Sequence, residues 1–282
     1  MTVYISTGGF FNETTDLVIK NFQKHGIVNV ELSGGSYKPN LIKNLIKVKK
    51  DFNFSAHNYF PPPKKPFVLN LASFDKKIYE LSLDMILNGI NFSKKINSTY
   101  YSFHAGFLCD IFHKDLGRKI KRKELNSRDS CINIFIKRVK AISKIAKKNG
   151  IKLMIENNVV TQNNLREFGE NPFLMTSPEE CKQIIDLLPN NVGLLLDVAH
   201  LKVSAKTLNF NPIRMFAECN YRTFGYHLSD NDGKKDSNKP FNKNSWFWKY
   251  IDKKKKYVSI EVYNAKFSEL LRLLNLTNDM IG

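Results

Sequence analysis

The chain has 282 residues, enough for one large domain or two modest ones with a substantial buried core. Hydrophobic residues make up 42% and charged residues 25%, an ordinary globular balance, and no run approaches the length of a membrane-spanning helix. A formal net charge of +18 admits a nucleic-acid or phosphorylated partner, but the excess is mostly lysine spread over many segments, which reads as solvated helix faces.

The first candidate strand, "TVYIS" at 2–6, follows Met1 with no basic, apolar, small-residue signal pattern, and it is the scattered cysteines that lead to the expectation of a cytoplasmic protein. Further β-rich apolar runs follow at 27–32, 52–57, 99–104, 151–156, 192–197, 223–228 and 257–262. Between them lie stretches such as 72–97 and 131–149, where apolar residues recur three and four apart, the second ending at Gly150 as a helix cap. "TSPEECKQIIDLL" places Ser177 as N-cap and Pro178 in the first turn of another helix. Four cysteines (Cys109, Cys131, Cys181, Cys219) stand far apart with no C-x-x-C pair, which predicts reduced thiols. Eight strands alternating with helices, no linker or repeat, and no G-x-G-x-x-G after the first strand predict a single α/β domain over 1–282, a (β/α)8 barrel. The long connections 58–71 and 105–126 would then lie over the C-terminal face of the barrel, where such folds place their active sites.

The residues at those strand ends are His57, His104, Glu156, Asp197, His227 and Glu261, all of metal-ligand or acid–base type. Four of the six histidines (His57, His104, His200, His227) fall at or just beyond a strand end; His25 and His113 do not. Carboxylates crowded at the mouth of an apolar barrel raise one another's pKa and are costly to bury unless a cation joins them. Lys and Arg are scarce at these positions, so a divalent metal is the natural partner. Glu156, Asp197 and Glu261 with His227 make a mixed oxygen and nitrogen set that suits Mn²⁺ best and also admits Zn²⁺, Co²⁺ or Mg²⁺.

The motifs "FHAG" (103–106), "IENN" (155–158), "LLDVAH" (195–200), "YHLSDNDG" (226–233) and "IEVYN" (260–264), in this order, resemble the xylose-isomerase-like TIM barrels, in the group of sugar phosphate isomerases and epimerases. The resemblance implies one divalent metal on Glu156, Asp197, His227 and Glu261, with Glu156 and Glu261 as catalytic acid and base on opposite faces of a sugar or sugar phosphate. It implies proton transfer next to a carbonyl through a cis-enediolate, giving epimerisation or isomerisation according to where the proton returns. His200 would touch substrate oxygens, with His104, His57, Asn158 and Asp230 also assigned to the substrate. A small-molecule partner is thus expected, no membrane, and homo-oligomers are common among such barrels.

Two other activities share this framework. Endonuclease-IV-type nucleases carry three zinc ions, and His104, His200 and Asp236 leave room here for a second metal. Against this, the expected D-x-H reads "DSN" (236–238), and "NLAS" (70–73) holds no histidine where a ligand was sought after strand three. Nucleic acid therefore ranks below a sugar. Sugar or cyclitol dehydratases need the same metal and base. Asn231, Asp232 and the amide-rich 156–164 loop suit sugar hydroxyls, or in Asn231 and Asp232 merely Asx turns. Lys234, Lys235 and Lys239 suit a phosphate, Tyr59, Trp246 and Trp248 an apolar wall, and Glu31 either the pocket or a nearby lysine.

Overall fold

The structure, a computed structural model, describes residues 2–10, 13–115 and 120–282. Its strands are β1 (Thr2–Ser6), β2 (Asn29–Ser33), β3 (Asn53–His57), β4 (Tyr100–His104), β5 (Lys152–Glu156), β6 (Val192–Asp197), β7 (Thr223–Leu228) and β8 (Tyr257–Ile260). All neighbours pair in parallel in sequence order, and β1 closes onto β8, so the sheet is a closed (β/α)8 barrel. Helices α1 (Thr15–Lys24), α2 (Leu41–Val48), α3 (Lys76–Lys95), α4 (Arg128–Lys148), α5 (Gln162–Phe168), α6 (Pro178–Asp186), α7 (Val198–Leu208), α8 (Ile213–Cys219) and α9 (Phe267–Ile281) connect and follow the strands. Among the described residues no helix is long and apolar enough to cross a membrane, and the four cysteines are free and buried.

Local chemistry explains the element ends. The Ser177 hydroxyl accepts from Glu180 N and Pro178 opens α6, as expected. Asn149 closes α4, and Gly150 follows at φ 72°, the left-handed position that turns the chain into β5. Strands β6 and β7 have the expected limits, whereas β2 starts two residues late because Ile27 N bonds Phe22 O at the end of α1.

Each strand is buried on both sides, and its alternating residues divide between two environments. Outward-facing residues such as Val30, Leu32, Tyr101, Phe103, Leu194 and Leu196 join the helices in one apolar core. Inside the barrel Tyr4, Met154, Leu195 and Tyr257 form a separate small cluster with Tyr100 and Phe224 packed against it. The register slips between Leu194 and Leu195 against β7, after which Asp197 stands opposite His227. That irregularity brings two of the expected ligands level.

Candidate metal centre and active site

Asp197 ends β6 and also caps α7: its Oδ1 accepts from His200 N at 2.7 Å. This N-cap explains the spacing of "DVAH", because the cap bond places His200 on the first helical turn beside the mouth. The other oxygen, Oδ2, is buried and has no hydrogen-bond partner among the described residues. Asn157 ties the neighbouring strand end in place, accepting from Asp197 N at 2.8 Å and donating to Asp197 O at 3.2 Å.

Glu156, Asp197, His227 and Glu261 each offer a ligand atom within 4.8 Å of the others, and all four side chains are buried. His227 Nδ1 lies 3.2 Å from Glu156 Oε1, 3.4 Å from Glu261 Oε2 and 3.9 Å from Asp197 Oδ2. Glu261 stands one residue past β8, its backbone N bonded to Leu228 O. A Cβ at Gly8 would come within 2.7 Å of Glu261 Oε1, so a side chain there would make the carboxylate shift. Glu156 Oε2, like Asp197 Oδ2, is buried without a hydrogen-bond partner among the described residues. Glu156 Oε1, Glu261 Oε2 and the orphaned Asp197 Oδ2 all lie within 3.9 Å of His227 Nδ1, so the donor set fits a divalent cation.

The electrostatics point the same way. Burial pushes Asp197 up to about 7, with Glu156 and Asp236 adding to the effect against the pull of His200. Glu261 is raised by burial and by Glu156, against the hydrogen bond from His227. Burial alone would raise Glu156 too, but His104, His227 and His57 outweigh it and hold it well below the usual range. His227 is raised despite burial by Glu31 and Glu156, and His200 likewise by Asp197 and Asp236. Burial takes His57 down to about 4 and lowers His104.

His57 and His104 do not stand apart from this centre. Their Nε2 atoms lie 3.3 Å and 3.5 Å from Glu156 Oε2, and the three residues form a second ligand-capable group that shares Glu156 with the first. Of the expected second set, His200 and Asp236 meet through Nε2 and Oδ2 at 3.2 Å, His200 Nδ1 rests on Asn157 O at 2.9 Å, and the His200 ring lies 5.7 Å from that of His104. Asn70, in the loop where the nuclease pattern has a ligand histidine, braces loops through Phe107 O, Ala72 N and Asp110.

A cavity of about 820 Å³ opens above the cluster, lined on this side by His57, His104, His200, Asp236 and Glu261. Glu156, Asp197 and His227 form the layer beneath and are fully buried. Asn158 reaches the cavity, but its amide nitrogen donates to Ala105 O, Gly106 O and Leu174 O and so clamps two loops. Asp230 is not among the lining residues: its carboxylate takes the Lys202 ammonium at 2.6 Å, Asn231 N and the Ser245 hydroxyl. Asn231 and Asp232 form Asx turns to Gly233 N and Lys234 N. Lys234 and Lys235 line the rim with Tyr59, while Trp246 and Trp248 pack on Phe216 and Phe241 away from it. Among the described residues Glu31 pairs with no lysine; it lies inside the barrel and meets His227 from below at 2.8 Å.

A family described as "Xylose isomerase-like TIM barrel" matches residues 20–272. No curated protein sequence matches the chain. Among solved structures, a D-tagatose 3-epimerase-like protein is 19% identical with a TM-score of 0.73, covering 100% of both chains. The TTHB071 protein from Thermus thermophilus, soaked with ZnCl2, is 19% identical at TM-score 0.65 over 99% of each chain. D-psicose 3-epimerase from Clostridium cellulolyticum, solved with D-tagatose, is 13% identical at TM-score 0.66 over 100% of this chain and 94% of that one.

Proposed function

Because the chain belongs to the xylose isomerase-like TIM-barrel family, we propose that it is a divalent-metal-dependent sugar or sugar phosphate isomerase or epimerase. The observation that carries this reading is the pairing of Glu156 and Glu261 in one buried four-residue ligand cluster beneath a cavity. A cation held by Glu156, Asp197, His227 and Glu261 would supply the positive charge that a developing enediolate needs.

The two glutamates are set for opposite tasks. Glu156 is held ionised by three imidazoles, whereas Glu261 is pushed toward keeping its proton, which is the asymmetry an acid–base pair uses. The ionised carboxylate takes the proton from the carbon next to the carbonyl, and the electron pair moves toward oxygen. Return of a proton from the opposite face inverts that carbon, and return to the neighbouring carbon isomerises. His200 lines the cavity with Nδ1 on Asn157 O and Nε2 on Asp236 Oδ2, so the sugar meets the His200–Asp236 pair there. Sugar epimerases among the structural neighbours support the substrate class.

The test is incubation of the Mn²⁺-loaded protein with a panel of ketoses and their phosphates in D₂O. Deuterium incorporation next to the carbonyl is expected, followed by an epimer or aldose; release of a dehydrated product would assign the dehydratase reaction instead. No exchange with any ketose would sink the proposal.

One observation favours a second reading. Two ligand groups that share Glu156 are an arrangement for two cations on one bridging carboxylate, a hydrolytic design, on a chain of net charge +18. Two zinc ions per chain with cleavage of abasic DNA, lost in Glu261→Gln, would establish a nuclease.

A further inference from the structure

A carboxylate deep inside a barrel is costly unless something specific uses it. Glu31 is such a group. It projects inward from β2, is fully buried, and is not among the residues lining the cavity. Its Oε2 lies 2.8 Å from His227 Nε2 and 2.5 Å from the Tyr257 hydroxyl. Both partners come from the far end of the chain, on the adjacent strands β7 and β8.

A carboxylate can only accept here, so Nε2 and the tyrosine hydroxyl both donate to one oxygen. Tyr257 stops the Glu31 side chain from swinging, and Glu31 in turn fixes the His227 ring. With Nε2–H committed below, Nδ1 faces upward to Glu156, Glu261 and Asp197. A flipped ring would present carbon to the cluster instead. Negative charge across the ring also strengthens it as a donor to a cation.

We propose that Glu31 is a positioning residue for the metal centre: held by Tyr257, it locks His227 with Nδ1 toward the cluster and so sets the affinity for the cation. This rests on the metal-centre reading above. Its rival is binding of a cation between Glu31, His57 and His227, whose ligand atoms also lie close together; that would use Nε2 rather than Nδ1.

The experiment compares the full-length chain with Glu31→Gln, Tyr257→Phe and Ser259→Ala, stripped of metal and titrated with Zn²⁺ against a chromophoric chelator. Ser259 lies in the barrel wall with a buried hydroxyl that has no hydrogen-bond partner among the described residues, and controls for general disturbance. Glu31→Gln is expected to bind Zn²⁺ about 10–100-fold more weakly, Tyr257→Phe less so, and Ser259→Ala within about twofold of wild type. In wild type loaded with ¹¹³Cd²⁺ and labelled with ¹⁵N-histidine, metal–nitrogen coupling is expected at Nδ1 of His227. A folded Glu31→Gln protein with wild-type affinity overturns the proposal, as does coupling at Nε2. Should Glu31→Gln fail to fold, Tyr257→Phe and the coupling measurement decide. A wild-type chain that binds neither ion overturns the metal centre itself, whereas tight wild-type binding with unchanged Glu31→Gln affinity overturns only the role of Glu31.

Discussion

The two ends of the barrel interior, two residues apart on β5 and β6, solve opposite problems. At the N-terminal end Tyr4 stacks on Tyr257 with ring centroids 4.8 Å apart, Tyr100 meets Tyr257 edge-on at 5.6 Å, and Met154 and Leu195 fill the remainder. That layer is neutral and held by packing. At the C-terminal end Glu156, Asp197 and His227 replace those residue types on β5, β6 and β7, and buried oxygens are left without partners among the described residues. Packing cannot satisfy a carboxylate, so that layer relies on its imidazoles and leaves buried oxygens that suit a cation. Glu31 joins the two, accepting one hydrogen bond from Tyr257 below and one from His227 above.

If the upper layer alone carries the chemistry, Glu156→Gln should be the most damaging change to it. Loss of the ionised carboxylate is expected to lower solvent-proton exchange into the substrate by about 10²–10⁴-fold, read by deuterium incorporation, while the protein stays folded. Exchange within a few-fold of wild type would remove Glu156 from the acid–base role. The matching change below is Leu195→Ala. It should cost about 2–5 kcal/mol of stability in denaturant unfolding, from lost burial and the cavity left behind. Metal affinity of the folded fraction should change little. A parallel collapse of metal binding would show that the two layers are not independent.

A smaller effect comes from pH. Asp197, with its pKa pushed up to about 7, keeps its proton in the metal-free protein until that pH, and a cation must displace it. Apparent affinity should therefore fall as pH drops from about 7 to about 5.5, the slope approaching about tenfold per pH unit for this one proton, measured by chelator competition. Stability is a poorer readout because buried groups oppose one another. The raised Asp197 contributes stability present below its ordinary 3.8 and lost as pH rises through about 7. Glu31, lowered to about 2 because His227 outweighs the burial that would raise it, contributes stability present above 4.5 and lost as pH falls toward 2. His57, lowered to about 4 by burial, likewise contributes stability present above 6.5 and lost as pH falls through 4. A flat affinity across that range would mean that Asp197 is already ionised before the cation arrives.

What the sequence discloses follows the same division. Periodicity exposes the barrel because eight apolar runs each need two covered faces, and the charge that ends "VGLLLD" marks the mouth. Position within the interior is harder to read. Glu31 in "NVELS" has the same alternation as a solvent-facing residue, and only closure of β1 onto β8 brings Tyr257 to it, 226 positions away. His57 reads as part of a substrate wall, yet the turn of its Nε2 onto Glu156 is a tertiary fact, set by Ser102 Oγ holding Nδ1 at 2.9 Å. Asx turns at Asn231 and Asp232 were legible as turn chemistry; which of the two readings applied depended on where their side chains found backbone N–H groups.

The smallest effect belongs to Asp230, and it separates loop from layer. Its carboxylate holds Lys202, Asn231 N and Ser245, and its backbone pairs with Lys239, so it anchors the segment that brings Lys234, Lys235 and Asp236 to the cavity rim. Asp230→Asn keeps the size and one acceptor but loses the charge opposite Lys202, a partly exposed pair of the kind worth about 1 kcal/mol or less. The rim should loosen while the buried cluster, fixed by strand ends, keeps its geometry. Steady-state kinetics are expected to show KM raised a few-fold with kcat nearly unchanged, and Zn²⁺ affinity equal to wild type. A fall in kcat approaching that of Glu156→Gln would mean that Asp230 touches the reacting sugar, as the polar run "HLSDNDG" suggests, and the chemistry would then extend beyond the strand ends into the loop.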